Sequence, residues 1–166
     1  GPEYAALAAL MLLDRGTDVT LDVFGDGELT ESLQHLTRRH AEAIRFHGSL
    51  PYEPDWNQIV RDGIDLMVLP HIQGDPSGTY LESAALGVPV VGFDNRALRS
   101  LVARHGIGWT VPLGDVAKLT DSITELVRDP ERRICAGRVA RSFMQQHTIE
   151  AEFSRRITHL RGIAGC

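Results

Sequence analysis

Short β-branched segments alternate with amphipathic segments along almost the whole chain, and this alternation limits the fold more than any other feature of the sequence. The segments typical of strands are 18–24, 43–47, 64–69, 89–93 and 106–111. The segments with apolar residues at helical spacing are 4–15, 29–39, 55–61, 79–86, 96–104, 116–128, 130–147 and 149–162. Because the joints between them are short, the pattern predicts a doubly wound, mostly parallel α/β sheet flanked by helices.

The chain opens on a helix, whereas a doubly wound domain usually opens on a strand. In the common Rossmann-like order 3-2-1-4-5-6 the first strand is central, so its absence predicts a gap beside segment 18–24. We expect this gap to be closed by direct pairing of the flanking strands or by a second copy of the chain. Segment 64–69 is nearly continuously apolar, which predicts a strand that is covered on both faces.

Composition indicates an ordinary globular domain and excludes several other classes. The chain has 166 residues, 43% of them hydrophobic, which is enough for one domain with a full core. Its net charge of −5 provides no overall field that would attract nucleic acid, so we expect none as a partner. Two cysteines without partner spacing suit a reducing compartment, and the apolar run 4–13 is too short to cross a bilayer. We therefore expect a cytoplasmic location.

The first residues have an unusual character. Gly1 and Pro2 are typical of the residues that remain when a protease removes a purification tag, so we exclude 1–2 from the fold. The chain also has no initial methionine. Both observations lead us to expect an excised fragment.

The most informative segment is LPHIQGDPSGTYLESAALG at 69–87, where a strand is followed by a polar loop and a helix. Open α/β sheets bind ligands beyond the carboxyl ends of their strands, and the free N–H groups at a helix start can bind a phosphate. Glu82, one turn into the helix, can accept hydrogen bonds from a ribose diol. In the alternative interpretation, Ser77 or Thr79 caps the helix and Glu82 only complements its dipole. Local physics leaves both interpretations open.

An ordered series of motifs carries a resemblance to a known family. The motifs are FGDGEL at 24–29, FHG at 46–48, LP at 69–70, LESAALGVPVV at 81–91 and GWTVPLGD at 108–115. Each is weak alone, but together they resemble the C-terminal, donor-binding half of GT-B retaining glycosyltransferases of the group 1 or family 4 type. The resemblance covers nearly the whole chain.

The resemblance implies that residues 3–166 form a Rossmann-like nucleotide-sugar-binding domain that ends in the helices of 130–162. Glu82 matches the family carboxylate that binds the ribose hydroxyls. Gly48 and Ser49 would lie beside the nucleobase. The residues whose backbone would face the diphosphate and the sugar are Ser77, Gly78, Thr79 and Tyr80.

Two further loop residues are candidates for contact with the donor sugar. The family's first glutamate, eight positions before Glu82, is replaced by Gly74. If the loop is one residue shorter than in the family, Asp75 takes that role and contacts the sugar hydroxyls. His71 follows a strand at its carboxyl end; it either donates to the donor phosphate or sugar or is a partly exposed loop histidine. Asp94 and Asn95 occupy a similar edge after the next strand.

The resemblance also implies what the chain needs from elsewhere. The family's diphosphate-neutralising Arg and Lys and its acceptor domain would precede residue 1. We therefore expect 1–166 alone to have no transferase activity and at best weak nucleotide affinity. Nucleotide departure in the family needs no metal, so we expect neither a cofactor nor a metal. The intact enzyme would act on an unknown acceptor, for which a membrane-associated molecule is one candidate.

The terminal helix 149–162 resembles the segment that packs on the N-terminal domain in the family, so its apolar face, including Phe153, Ile157 and Leu160, is expected to be exposed and to promote self-association. Two other functions stay open. One is a sugar-nucleotide epimerase of the same fold, which the motifs fit less well. The other is a noncatalytic α/β regulatory or interaction domain, in which Asp75 and Glu82 are a cap and a surface charge.

Overall fold

The computed structural model describes residues 1–50, 56–74 and 76–164. Its strands are β1 (Leu21–Phe24), β2 (Ile44–Gly48), β3 (Met67–Val68), β4 (Val90–Phe93) and β5 (Gly108–Val111). Its helices are α1 (Pro2–Asp14), α2 (Thr30–Thr37), α3 (Asn57–Gly63), α4 (Gly78–Leu86), α5 (Arg96–His105), α6 (Val116–Arg128), α7 (Pro130–Gln146) and α8 (Ile149–Ala164), with one 3-10 turn at Arg38–His40. Each predicted element is present, but β3 covers only two residues of the strand predicted at 64–69. The predicted start of α3 at residue 55 lies outside the described residues.

The strands pair in parallel throughout, which confirms the predicted α/β class. In the described part of the chain they form two sheets, one with order β1-β2 and the other with order β3-β4-β5. Leu21 of β1 lies opposite Ile44 of β2, and Val90 of β4 lies opposite Gly108 of β5. Each pair of neighbouring strands is connected through at least one helix, as parallel pairing requires.

The prediction that the flanking strands close the central gap by direct pairing is wrong, because β1 and β3 belong to different sheets. Helix α1 packs on both sheets at once. Its Ala8 and Leu12 join the cluster that contains Phe93 of β4, whereas its Ala9 and Leu10 pack with Ile44 of β2. Because α1 packs against both sheets, each sheet is covered by the helix although β1 does not pair with β3.

A cavity of about 410 Å³ lies between β1 and β3, and we call it the central groove. The groove is defined by Asp22 and Phe24 on the β1 side, Leu66 and Val68 on the β3 side, and Ala5, Ala9 and Leu12 of α1 on its floor. Segment 64–69 is covered on both faces, as predicted, because Val68 packs on the cluster that contains Phe93 and Met67 packs on the cluster that contains Tyr80. Both side chains are nevertheless only half-buried. Their edge of the sheet opens on the groove, whereas all four residues of β4 are buried.

The core lies on the two faces of the β3-β4-β5 sheet. On one face, α1 and α6 cover Val91, Phe93 and Val111. On the other face, α4, α5 and α7 cover Val90 and Ile107. Because β4 is buried on both faces, the loop at its carboxyl end is anchored to the core.

Helix α8 contributes no buried residue to this core. As predicted, its apolar residues are exposed: Phe153 by 60%, Ile157 by 46% and Leu160 by 63%. Self-association through this face stays a prediction. Among the described residues, no helix has the length and apolar character needed to span a bilayer.

Candidate functional site

The candidate site lies at the carboxyl edge of the β3-β4-β5 sheet. The loop after β3 leads into α4, and the short joint after β4 leads into α5. In a parallel sheet these loops emerge at the same edge, which is where ligands bind in open α/β folds. Because β4 is buried, its packing fixes the position from which the loop to α5 leaves the sheet.

Asn95 connects the three parts of this edge. Its side chain is only 4% exposed. Its Oδ1 accepts a hydrogen bond from the Leu98 N–H at 2.8 Å, which caps α5. Its Nδ2 donates to the His71 carbonyl and to the Tyr80 hydroxyl, both at 3.0 Å. One buried amide thus fastens the start of α5 to the loop after β3 and to α4.

His71 and Tyr80 contact each other beneath the loop. The Tyr80 hydroxyl lies 3.2 Å from His71 Nδ1, and the two ring centroids are 5.4 Å apart. Tyr80 is fully buried and His71 is half-buried. The Tyr80 side chain therefore holds the loop in place, and contact of its backbone with a diphosphate or a sugar stays a prediction. Donor contact by His71 stays a prediction.

Replacement of Asn95 by Ala should lower the free energy of unfolding by about 2–3 kcal/mol, because it removes the cap of α5 and the two hydrogen bonds that Asn95 donates to His71 and Tyr80. Urea denaturation monitored by circular dichroism measures the loss. Ser100→Ala is the matched control, since Ser100 is an exposed residue of the same helix. A loss below about 0.5 kcal/mol for Asn95→Ala would contradict its role as the connecting residue.

The first turn of α4 is open at its amino end. Ser77 is the N-cap residue and is extended (φ −96°, ψ 130°), but its side chain makes no capping hydrogen bond. The Tyr80 N–H donates to the Ser77 carbonyl at 3.2 Å. Within the described residues, the N–H groups of Gly78 and Thr79 have no such partner. Two N–H donors that have no partner among the described residues, at the positive end of a helix dipole, form a suitable place for an anion.

Glu82 lies one turn further along α4, and its carboxylate folds back over Gly78. A Cβ placed on Gly78 would lie 3.3 Å from Glu82 Oε1. The side chain is half-buried and makes no hydrogen bond or ion pair with the described part of the chain. A carboxylate acceptor beside the Gly78 and Thr79 N–H groups fits a ligand that carries both hydroxyls and an anion. Asp75, the other predicted acid, lies outside the described residues.

Gly48 and Ser49 lie at the carboxyl end of the other sheet. Gly48 has φ +66°, a conformation that favours glycine, and its carbonyl accepts from the Gly25 N–H at 2.7 Å. The Ser49 N–H and hydroxyl donate to Asp26 Oδ2 at 3.0 and 3.2 Å. Sequence reasoning missed Asp26, whose only signal was an acid between two turn glycines. Contact of Gly48 and Ser49 with a nucleobase stays a prediction.

The structure separates these residues into two groups. His71, Tyr80 and Asn95 are joined by hydrogen bonds, and the start of α4 follows directly from them. Among the described residues, no hydrogen bond links this group to Gly48 or Ser49, which belong to the β1-β2 sheet. A ligand that reached both groups would have to cross the carboxyl end of the central groove.

The joint after β4 supplies charge near the loop. Arg99 Nε donates to the Asp94 carboxylate at 2.6 Å, and this hydrogen bond raises the pKa of the guanidinium above its usual value. Asp94 is thus paired, in contrast to Glu82. Arg96, which sequence reasoning did not single out, lies with Gly74 and Ser77 around a pocket of about 440 Å³. The sequence marks Arg96 only as a cation that directly follows Asn95, close to the carboxyl end of β4.

The described residues at this edge do not include a cluster of metal-ligating side chains. Across the ranges that the structure describes, no three His, Cys, Asp or Glu side chains come together as metal ligands. Among the described residues, this edge instead offers backbone N–H donors at the start of α4, the Glu82 carboxylate and the nearby Arg96 guanidinium. This donor set suits a phosphorylated, hydroxylated ligand.

The fold defines a parallel, Rossmann-like α/β class of domain, and comparison with known proteins identifies the family. The family model described as "Glycosyl transferases group 1" matches residues 1–129. The chain belongs to the group 1 glycosyl transferases, and its membership confirms the resemblance carried by the ordered motifs.

Curated relatives are sugar-transferring enzymes. The chain is 34% identical over 112 residues to the 2-deoxystreptamine N-acetyl-D-glucosaminyltransferase of Streptomyces fradiae, which covers 66% of this chain and 26% of the relative. It is 33% identical over 124 residues to the phosphatidyl-myo-inositol mannosyltransferase of Mycobacterium leprae, covering 72% of this chain and 32% of the relative. The chain therefore spans about a quarter to a third of the length of these relatives.

Solved structures share the fold at low sequence identity. Anabaena Alr3699/HepE, crystallised in complex with UDP, matches with a TM-score of 0.80 and 18% identity over 98% of this chain and 46% of that one. Staphylococcus aureus TarM, in a complex that contains UDP, matches with a TM-score of 0.77 and 14% identity over 94% of this chain and 32% of that one. The chain thus has the fold of one part of these larger proteins.

Proposed function

We propose that this chain is the donor-binding domain of a retaining glycosyltransferase, which transfers a sugar from a nucleoside diphosphate sugar to an acceptor. The observation that carries the proposal is the start of α4: an uncapped helix terminus with Glu82 folded over Gly78. The chain's family membership and the UDP held by two structures of the same fold support the choice of ligand.

In the proposed site, the Gly78 and Thr79 N–H groups bind the diphosphate, and Glu82 accepts hydrogen bonds from the ribose hydroxyls. Because a carboxylate and a diphosphate repel each other, Glu82 must face the hydroxyls and the helix start must face the phosphates. Asn95 and Tyr80 act as positioning residues, since their buried hydrogen bonds fix α4 against the loop. Asp75, Ser77 and His71 would complete the sugar side of the site.

Titration by heteronuclear NMR tests the proposal. UDP, GDP or ADP at millimolar concentration should shift amide signals of residues 77–82, with the weak affinity expected for a site that has few cations of its own. Inorganic phosphate alone should shift Gly78 and Thr79 but not Glu82. Titrations in which no nucleoside diphosphate shifts residues 77–82 would contradict the donor site and favour the noncatalytic alternative.

We further propose that residues 1–166 alone do not catalyse transfer, because the described site supplies little charge to stabilise a departing diphosphate. Single preorganised donors in other enzymes contribute about 3–4 kcal/mol to such stabilisation. Incubation of the purified chain with UDP- and GDP-sugars, followed by chromatography of released nucleotide, should show no release above the protein-free rate. Measurable turnover would contradict this part of the proposal.

A further inference from the structure

The pocket of about 440 Å³ beside Arg96 lies between the start of α4 and the start of α5, and we call it the α4–α5 pocket. Its volume falls in the range of small-molecule sites, which is about 300–1,000 Å³. The pocket shares Ser77 with the start of α4, but Gly78, Thr79 and Glu82 are not among the described residues that line it. The donor site proposed above therefore leaves this pocket without a role.

The walls of the α4–α5 pocket are mostly apolar. Leu81 of α4 is 38% exposed and lines the pocket together with Pro76, Ala97 and Leu101. The two residues of α5 are held in place, because Ala97 and Leu101 also pack against the core cluster that contains Leu98. A fixed, concave apolar surface favours an apolar ligand group, since binding removes both surfaces from water.

Arg96 is the only charged residue among the described residues that line the pocket. Its side chain is exposed and forms no ion pair with the described part of the chain, whereas Arg99 of the same helix pairs with Asp94 at 2.6 Å. A Cβ placed on Gly74 would lie 3.4 Å from Arg96 Cβ, so the loop before α4 packs against the base of the arginine side chain. An unpaired guanidinium at this position favours one anionic ligand group, which it can bind through two parallel hydrogen bonds.

We propose that the α4–α5 pocket binds a small amphiphilic molecule that has an apolar body and one phosphate or carboxylate group. The anionic group lies on Arg96, and the apolar body lies between Leu81 and Leu101. An inorganic anion would leave the apolar walls without contact, and an uncharged apolar molecule would leave the guanidinium without a partner. The volume of the pocket suits a small molecule rather than a polypeptide segment. The proposal goes beyond the donor site and does not depend on nucleotide binding.

NMR titration of the chain with hexyl phosphate tests the proposal, because this soluble molecule combines one phosphate with an apolar chain. The methyl signals of Leu81 and Leu101 and the side-chain Nε signal of Arg96 should shift together, with a Kd in the millimolar range. Hexan-1-ol lacks the anion and inorganic phosphate lacks the apolar body. Each of these two molecules should bind the pocket at least about tenfold more weakly than hexyl phosphate.

Two variants separate the anionic contact from the apolar contact. Arg96→Gln should weaken the binding of hexyl phosphate by about tenfold and leave that of hexan-1-ol unchanged. Leu81→Ala should weaken the binding of both molecules by at least about threefold, because it removes apolar surface from the wall. Arg104→Gln is the matched control, since Arg104 is an exposed arginine in the last turn of the same helix and does not line the pocket. Its Kd for hexyl phosphate should stay within about twofold of wild type, because salt screens a distant exposed charge.

Several results would overturn the proposal. One is the absence of shifts at Leu81 and Leu101 in millimolar hexyl phosphate. Another is equal affinity of wild type and Arg96→Gln for hexyl phosphate, or hexan-1-ol binding that is as tight as that of hexyl phosphate. Shifts confined to the first turn of α4 would also overturn it, because the phosphate would then occupy the donor site instead. Titration with nucleoside diphosphates reads residues 77–82 separately, so failure of this proposal is distinguished from failure of the donor site.

Discussion

Replacement of Glu82 by Gln should weaken nucleoside diphosphate binding by about tenfold or more, because a hydrogen bond to a charged acceptor contributes about 1.5–3 kcal/mol. Glutamine keeps the length of the side chain but replaces the charged acceptor by a neutral amide. Glu82 makes no hydrogen bond or ion pair within the described residues, so the substitution removes little that the folded chain needs. NMR titration or isothermal calorimetry with UDP and GDP measures the change in Kd.

Glu125→Gln is the matched control for this experiment. Glu125 lies on α6, is 71% exposed and pairs with Arg132 at 3.8 Å, a distance and exposure at which an ion pair contributes little. Both variants change the net charge equally, so a general electrostatic effect on a phosphorylated ligand would appear in both. Equal affinity of wild type and Glu82→Gln for every nucleotide tested would show that Glu82 does not bind the nucleotide.

Replacement of Gly137 by Val should destabilise the chain by about 3 kcal/mol, the upper end of the usual range for overpacking. A Cβ on Gly137 would lie 2.1 Å from the Gly87 carbonyl oxygen, where α7 crosses the end of α4. Gly87 is the left-handed cap of α4 (φ 81°) and is hydrogen-bonded to Ala84 and Ser83, so this backbone has little freedom to move away. Chemical denaturation measures the loss.

The same substitution should also weaken nucleotide binding, because α4 carries Glu82 and the open helix start. Gly162→Val is the matched control: it is also in a helix, but an added Cβ there meets nothing within 4 Å. Its free energy of unfolding should change by less than about 0.5 kcal/mol. Equal stability of the two variants would show that the contact between α7 and the Gly87 carbonyl does not constrain α4.

The sequence predicts the elements well where the local signals agree. Helix α6 spans 116–128, as predicted, because Asp115 caps it by accepting from the Lys118 N–H at 2.9 Å and its apolar stripe faces the core. The uncapped start of α4 is different. Ser77 is the residue that a capping rule would choose, but its side chain makes no capping bond. The structure thus removes a Ser77 side-chain cap from the alternative interpretation, and ribose binding by Glu82 stays a proposal.

Most of the contacts at the candidate site that could not be predicted from the sequence are long-range hydrogen bonds. Asn95 reaches His71 across 24 positions, and Ser49 reaches Asp26 across 23. No periodic pattern encodes either pair, since each depends on how loops from different strands meet at the sheet edge. The central groove is a related case: strand signals at 18–24 and 64–69 predicted β1 and β3, but only packing of α1 on both sheets shows that these strands stay apart.

A crystal structure of the chain with a bound nucleoside diphosphate would test the central claim most directly. We expect the diphosphate oxygens to lie about 2.7–3.2 Å from the Gly78 and Thr79 nitrogens and the ribose hydroxyls within hydrogen-bonding distance of Glu82. Density for the diphosphate on Arg96 in the neighbouring pocket, with the ribose away from Glu82, would contradict the proposed site.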